Sequence, residues 1–174
     1  MRLISQGIQP NSLSQLNFGE LTLEYFNSKV LDSLTKEQLA DLHHPSTRLG
    51  SIPLYQDELF TKELGARGVE APHSNLLINS INQVIKHEQK CIALISRYLD
   101  QETIQNTLLP VLTQIRTGDL VADDAILEIK DLLDKSDKQI TDIEVIEQSL
   151  KDMQAVSDTC FEIFCAIQEQ IEQA

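Results

Sequence analysis

Glu88 is the residue whose type and placement most invite chemistry. It is the one acid in the middle of an apolar helical face, with His87 beside it and Cys91 one turn further on. His87 and Cys91 stand at i,i+4, so a helix turns both to one side. A zinc site needs about four such ligands in tetrahedral array. The remaining ones would have to come from Cys160, Cys165, His73 or the His43-His44 pair. Cys160 and Cys165 lie about 140° apart around a helix, so they do not converge on one ion. No metal and no cofactor is therefore expected. Cys91 and Cys160 read as small core residues and His87 as a polar edge. Three readings remain for Glu88, the plainest being that its carboxylate snorkels to the surface. Antiparallel packing of two long helices would bring it level with Ser157 in a polar layer that fixes register. Alternatively, it is a carboxylate with a raised pKa in a ligand pocket, the centre of a helical ligand-binder or enzyme.

The usual catalytic patterns are missing. The chain has no GxSxG, GxxxxGK[ST], HExxH or GxGxxG. The ExxH pairs of di-iron bundles are missing too. Their nearest imitations, Asp41-Leu42-His43-His44 and Glu70-Ala71-Pro72-His73, are each spoiled by a proline. Ser96 and Ser157 have no base that periodicity can place beside them. The expectation is a protein that is not an enzyme.

Charge narrows the partners. The 174 residues carry a formal net charge of -13, unevenly spread. Residues 1–87 hold seven Lys/Arg against nine Asp/Glu, whereas residues 88–174 hold seven against eighteen. Phosphate contact needs clustered cations, so nucleic acid is not an expected partner, nor is an anionic membrane face. No window approaches the ~20 apolar residues of a membrane span. Three cysteines are an odd number and no disulfide framework. With no signal-peptide core in the first twelve residues, the expected location is the cytosol. Export by a signal of another kind stays open.

The elements that position these residues fall into two styles. Five of six Gly and four of five Pro precede residue 73. The first 72 residues should be short pieces and the rest long helices. We expect a flexible or peripherally docked arm over 1–17, short helices and loops over 18–72, and a long-helix domain over 73–174. Leu21, Leu23, Phe26, Val30, Leu31 and Leu34 fit a helix over 20–33. Thr35 and Gln38 form a capping-box pattern for a short helix ending at Pro45. Residues 54–64 should be helical, with Gly65 as C-terminal cap. Ser74 should cap a helix over 75–99 whose apolar seams both pass through Glu88. A segment over 102–116 carries Pro110, which should kink or split it. Residues 121–134 are helical again. A Ser136–Gln139 capping box favours a break before the last helix over one run from 120 to 173.

That last stretch, 137–173, has neither Gly nor Pro. Steps of three and four pick out Ile143, Ile146, Leu150, Met153, Ser157, Cys160, Phe164, Ile167 and Ile171, a single seam along one helix face. It must lie against other helices, of this chain or another. Nine acids accompany it against two lysines. Asp152, Asp158, Glu162 and Glu169 among them suggest an acidic face, and Asp158–Glu162 is an unfavourable like-charge i,i+4 pair.

The expected fold is all-α: a helical bundle or long coiled-coil hairpin over 74–173, preceded by short helices. The layout is shared with components and cargo chaperones of bacterial secretion machines and with many unrelated helical proteins. The first functional expectation is a non-enzymatic interaction protein (adaptor, chaperone or assembly subunit) using the seam toward a protein partner or a second copy. The alternative is an inhibitor or immunity-type protein whose acidic face blocks a basic enzyme.

Overall fold

A computed structural model describes residues 10–33 and 55–173, and every regular element among them is helical. The Thr35–Gln38 capping box, the His43-His44 pair and the loop between Pro45 and Pro53 lie outside the described residues. The elements are a 3-10 turn (Pro10–Gln15), α1 (Phe18–Ser33), α2 (Asp57–Ala66), α3 (Ala71–Ser96), α4 (Gln101–Thr103), a π turn (Ile104–Leu108), α5 (Leu109–Thr117), α6 (Ala122–Lys135) and α7 (Ile143–Gln173). The chain divides into two compact units, Met1–Ile78 with Cys165–Ala174, and Asn79–Phe164. Both long helices, α3 and α7, run through the division.

In the first unit, α1 begins on a reciprocal cap. The Asn17 amide donates to Glu20 Oε1 at 2.9 Å, and the Glu20 amide to Asn17 Oδ1 at 2.7 Å. The buried face of α1 is Phe18, Leu21, Thr22, Tyr25 and Ser28. Of the face expected from Leu21, Leu23, Phe26, Val30 and Leu31, Leu21 is fully buried, but Leu23 is 52% exposed and the others are only half-buried. Thr22 and Ser28 can be interior because each hydroxyl donates to a carbonyl of its own helix, Phe18 O and Tyr25 O, both at 2.8 Å. Leu13, in the stretch expected to be a flexible or peripherally docked arm, is buried.

Helix α2 ends not at Gly65 but at Gly68, which has φ +88°. The Val69 amide reaches back to Leu64 O at 3.0 Å, and the Gly68 amide to Gly65 O at 3.0 Å. This is a Schellman stop, with Leu64 and Val69 both buried across it. Gly65 is left inside the helix. Ser74 is likewise interior rather than a cap: α3 starts at Ala71, and the Ser74 amide donates to Glu70 O at 2.9 Å.

The second unit is a bundle. One core is shared by Cys91, Ile92, Ile95 and Tyr98 of α3 and its end, by Ile104, Leu108, Val111, Leu112 and Ile115, by Ala125, Ile126, Ile129 and Leu133 of α6, and by Ile146, Leu150 and Met153 of α7. The intervening helices thus fill the space that a two-helix hairpin would leave open. Pro110 acts where expected, but it neither splits nor stops the helix. The turn before it widens, and the Leu109 amide bonds back five residues to Ile104 O. A proline has no N–H and crowds the carbonyl four residues earlier, so a π turn just upstream relieves it. Helices α6 and α7 are separate, as favoured above, but the boundary differs. Ser136 Oγ turns back to Leu133 O at 2.8 Å instead of starting a capping box, and α7 opens with the Ile146 amide on Asp142 O at 3.0 Å.

Candidate functional site

Glu88 is 3% exposed and faces Arg116, whose Nε donates to Glu88 Oε1 at 2.8 Å. Both side chains are almost wholly inside, at 7% exposed for Arg116 and 4% for Glu88. Arg116 also reaches Thr113 Oγ1 at 3.2 Å. Burial pushes the Glu88 carboxyl up from its ordinary value, and the Arg116 guanidinium only partly offsets it. Arg116 is held at the last turn of α5, which Gly118 closes in the left-handed region at φ +85°. A buried carboxylate needs a counter-charge or must take up a proton, and here it has the counter-charge.

Ser157, expected opposite Glu88, is buried at 7%, but its hydroxyl has no hydrogen-bond partner. The polar layer therefore pairs Glu88 with Arg116 of α5 and not with Ser157 of α7. Arg116 was missed from the sequence, although a signal exists: it continues the apolar i,i+4 row Leu108–Leu112.

Two of the three thiols, those of Cys91 and Cys160, are core groups, and Cys165 is half-buried. Cys91 is fully buried, and its thiol is pushed up to about 12 by burial and then by the charge of Glu88. Cys160 is buried beside Ser80, to which it hydrogen-bonds, and burial raises it as well. Neither presents a thiolate nucleophile at neutral pH. Among the described residues, no group of three or more His, Cys, Asp or Glu could hold a metal ion.

Most of the α7 seam is spent on this chain's own interior. Ile146, Leu150, Met153, Ser157, Cys160 and Ile167 are buried, while Ile143, Phe164 and Ile171 are half-buried. Of the acidic face, Asp158, Glu162 and Glu169 are exposed. Asp152 is half-buried and accepts from Gln148 Nε2 at 2.9 Å. Beside two of these acids stands Phe161, 63% exposed, its ring stacked on Phe164 at 6.5 Å. On the same face, two turns earlier, Gln154 Oε1 accepts the Ala122 amide at 2.5 Å and so holds the start of α6 against α7.

A second polar constellation lies in the first unit. The Tyr25 ring stacks on Phe60 at 3.9 Å, and Tyr55 meets both edge-on at 6.0 and 6.3 Å. The Tyr25 hydroxyl donates to Asp57, which also pairs with Lys29 at 3.0 Å. The Tyr25 hydrogen bond, helped by Lys29, holds the Asp57 carboxyl below its ordinary value. Arg67 donates to Leu13 O and Leu16 O, both at 2.7 Å, and to Glu63 O at 2.6 Å, tying the 3-10 turn to the end of α2. These contacts spend the guanidinium donors on backbone carbonyls at helix ends.

No protein-family model, curated protein or solved structure matches the chain. Among the described residues, no helix is long and apolar enough to cross a membrane.

Proposed function

We propose that the chain is a non-enzymatic protein-interaction protein whose working surface is the acidic exterior of α7, with a basic protein as partner. One observation carries the reading. From Asp152 onward the chain has five acids and no Lys, Arg or His, and the exposed ones line the outside of a helix whose seam is already buried. A seam occupied by its own chain is poorly placed to receive a partner helix, so the surface expected from the seam moves to the opposite side of α7. A cation-free acidic surface steers and selects basic partners, with an attraction that salt screens within ~10 Å at 0.1 M. The buried Glu88–Arg116 pair supports a structural role for those two residues, since each neutralises the other inside the core.

Affinity capture of the full chain from its source, with native mass spectrometry of the product, tests the reading. The expected result is a heteromeric complex with a cationic protein that loosens between ~0.05 and ~0.5 M salt. A complex indifferent to salt, or recovery of the chain alone at low salt, would overturn it.

A further inference from the structure

The geometry points to a docking site for a cationic amphipathic helix on the second unit, centred on Phe161 and Val121; it rests on the reading just proposed and names the partner's chemistry. Phe161 is 63% exposed and Val121 49%. Isolated apolar side chains at a surface need no explanation, but these two are not isolated. Phe161 has the half-buried Phe164 ring against it. Gln154, two turns before Phe161 on one face of α7, binds the amide of Ala122, the residue after Val121. The two apolar points are thus about 10 Å apart along α7, at ~1.5 Å per residue. That is the spacing of i and i+7 side chains on a partner helix laid along the face.

The rim decides the occupant. Asp158 and Glu162 lie to one side of Phe161 around α7, and Asp123 and Asp124 follow Val121 in the first turn of α6; all four are exposed. Asp158 and Glu162 repel each other on the free helix, a conflict that a lysine or arginine laid between them removes. A second copy of this chain fits poorly, because it would bring the same acids and a net charge of -13 against themselves. An uncharged apolar helix would leave the four carboxylates unpaired. A helix with leucines on one side and lysines beside them satisfies both parts of the surface.

The probe is a fluorescent Leu/Lys peptide of about 18 residues with an amphipathic pattern, set against a scrambled peptide of identical composition. Anisotropy is read with the full chain at ~0.05 and ~0.5 M salt. The patterned peptide is expected to bind roughly tenfold or more tightly than the scramble. Phe161→Asp, and separately the Asp158→Lys/Glu162→Lys pair, should each remove roughly that factor. Phe161, Asp158 and Glu162 are all exposed, so unchanged helical dichroism and melting are expected of both variants. If patterned and scrambled peptides bind alike and Phe161→Asp changes nothing, the site is wrong while the acidic-surface reading stands. If neither peptide binds at low salt, both fall. If light scattering gives a doubled mass that Phe161→Asp restores to one chain, the occupant is a second copy and the cationic-helix proposal is overturned.

Discussion

In the first unit the ionised carboxylate of Asp57 sits at the rim of an aromatic core, its side chain 50% exposed. In the second unit the carboxylate of Glu88 sits inside an aliphatic core at 4%. The rim carboxylate is stabilised in its charged form by a tyrosine hydroxyl and a lysine, and its pKa falls. The interior one loses more hydration than Arg116 restores, and its pKa rises. Two acids, each with one cation beside it, thus move in opposite directions. Depth of burial decides the sign, because desolvation grows with burial faster than a single counter-charge compensates.

The sharpest way to break this comparison is to remove half of the interior pair. Arg116→Met leaves Glu88 buried without a counter-charge and should cost about 3–5 kcal/mol in urea unfolding. Replacing both, Glu88→Leu with Arg116→Met, should be close to neutral or stabilising. If the double variant is as damaged as the single one, the pair holds the unit together by more than mutual neutralisation.

Within the first unit, the two buried tyrosines should answer differently to loss of a hydroxyl. Tyr25→Phe removes a hydrogen bond to an ionised group and should cost about 1.5–3 kcal/mol. The Tyr55 hydroxyl is buried without a partner, and its pKa is pushed up to about 12, chiefly by burial. Tyr55→Phe should therefore be neutral or slightly stabilising. Equal losses from the two would remove the distinction between a rim hydroxyl with a task and an interior one without.

The opposite pKa directions give opposite pH signatures. Asp57 is lowered from 3.8, so its contribution is present above 3.8 and is lost as pH falls through the folded value. Glu88 is raised from 4.5, so its contribution is full below 4.5 and is lost as pH rises through the folded value. Stability measured by denaturant from ~pH 3 to ~pH 7 should show Asp57→Asn flattening the acid-side loss. Glu88→Gln should flatten a loss of the other sign. A common direction for both variants would break the comparison. The Asp57 effect should be the smaller one and the more salt-sensitive, being screened by water.

The smallest effects come from the glycines that end α2. Gly65→Ala places a methyl in open space inside a helix and should stabilise by about 0.5–1 kcal/mol. Gly68→Ala must hold φ +88° and should cost about 1–2 kcal/mol. The reverse order, read from melting curves, would mean the helix stops at Gly65 after all.

The same glycines show where local sequence runs out. Both Gly65 and Gly68 offer a stop, and the choice falls to Gly68, which bends the chain so that the Val69 amide returns to Leu64 O and both side chains are buried. The face of α1 was misjudged for a related reason. Leu23, Phe26 and Val30 outrank Thr22, Tyr25 and Ser28 in hydropathy, yet the latter line up with Phe18 and Leu21; the Thr22 and Ser28 hydroxyls are satisfied within the helix and that of Tyr25 by Asp57, 32 residues away. The long helices were legible because 26 and 31 residues repeat one period often enough to fix a face. Arg116 was not, because nothing local says which charge comes to Glu88 across 28 residues of chain.

By itself, then, the sequence determined that this protein is all-helical, that its two longest helices each carry an apolar seam, and that its acid gathers after residue 87. Periodicity and composition are local properties, and helices obey them. Only the tertiary structure decided that Arg116 and not Ser157 answers Glu88, and that the seam is used up at home. It also decided that Phe161, one aromatic among several in the sequence, is the one left in solvent. Those are matters of which surfaces meet, and a one-dimensional pattern offers each helix face several mates of nearly equal energy until packing selects one.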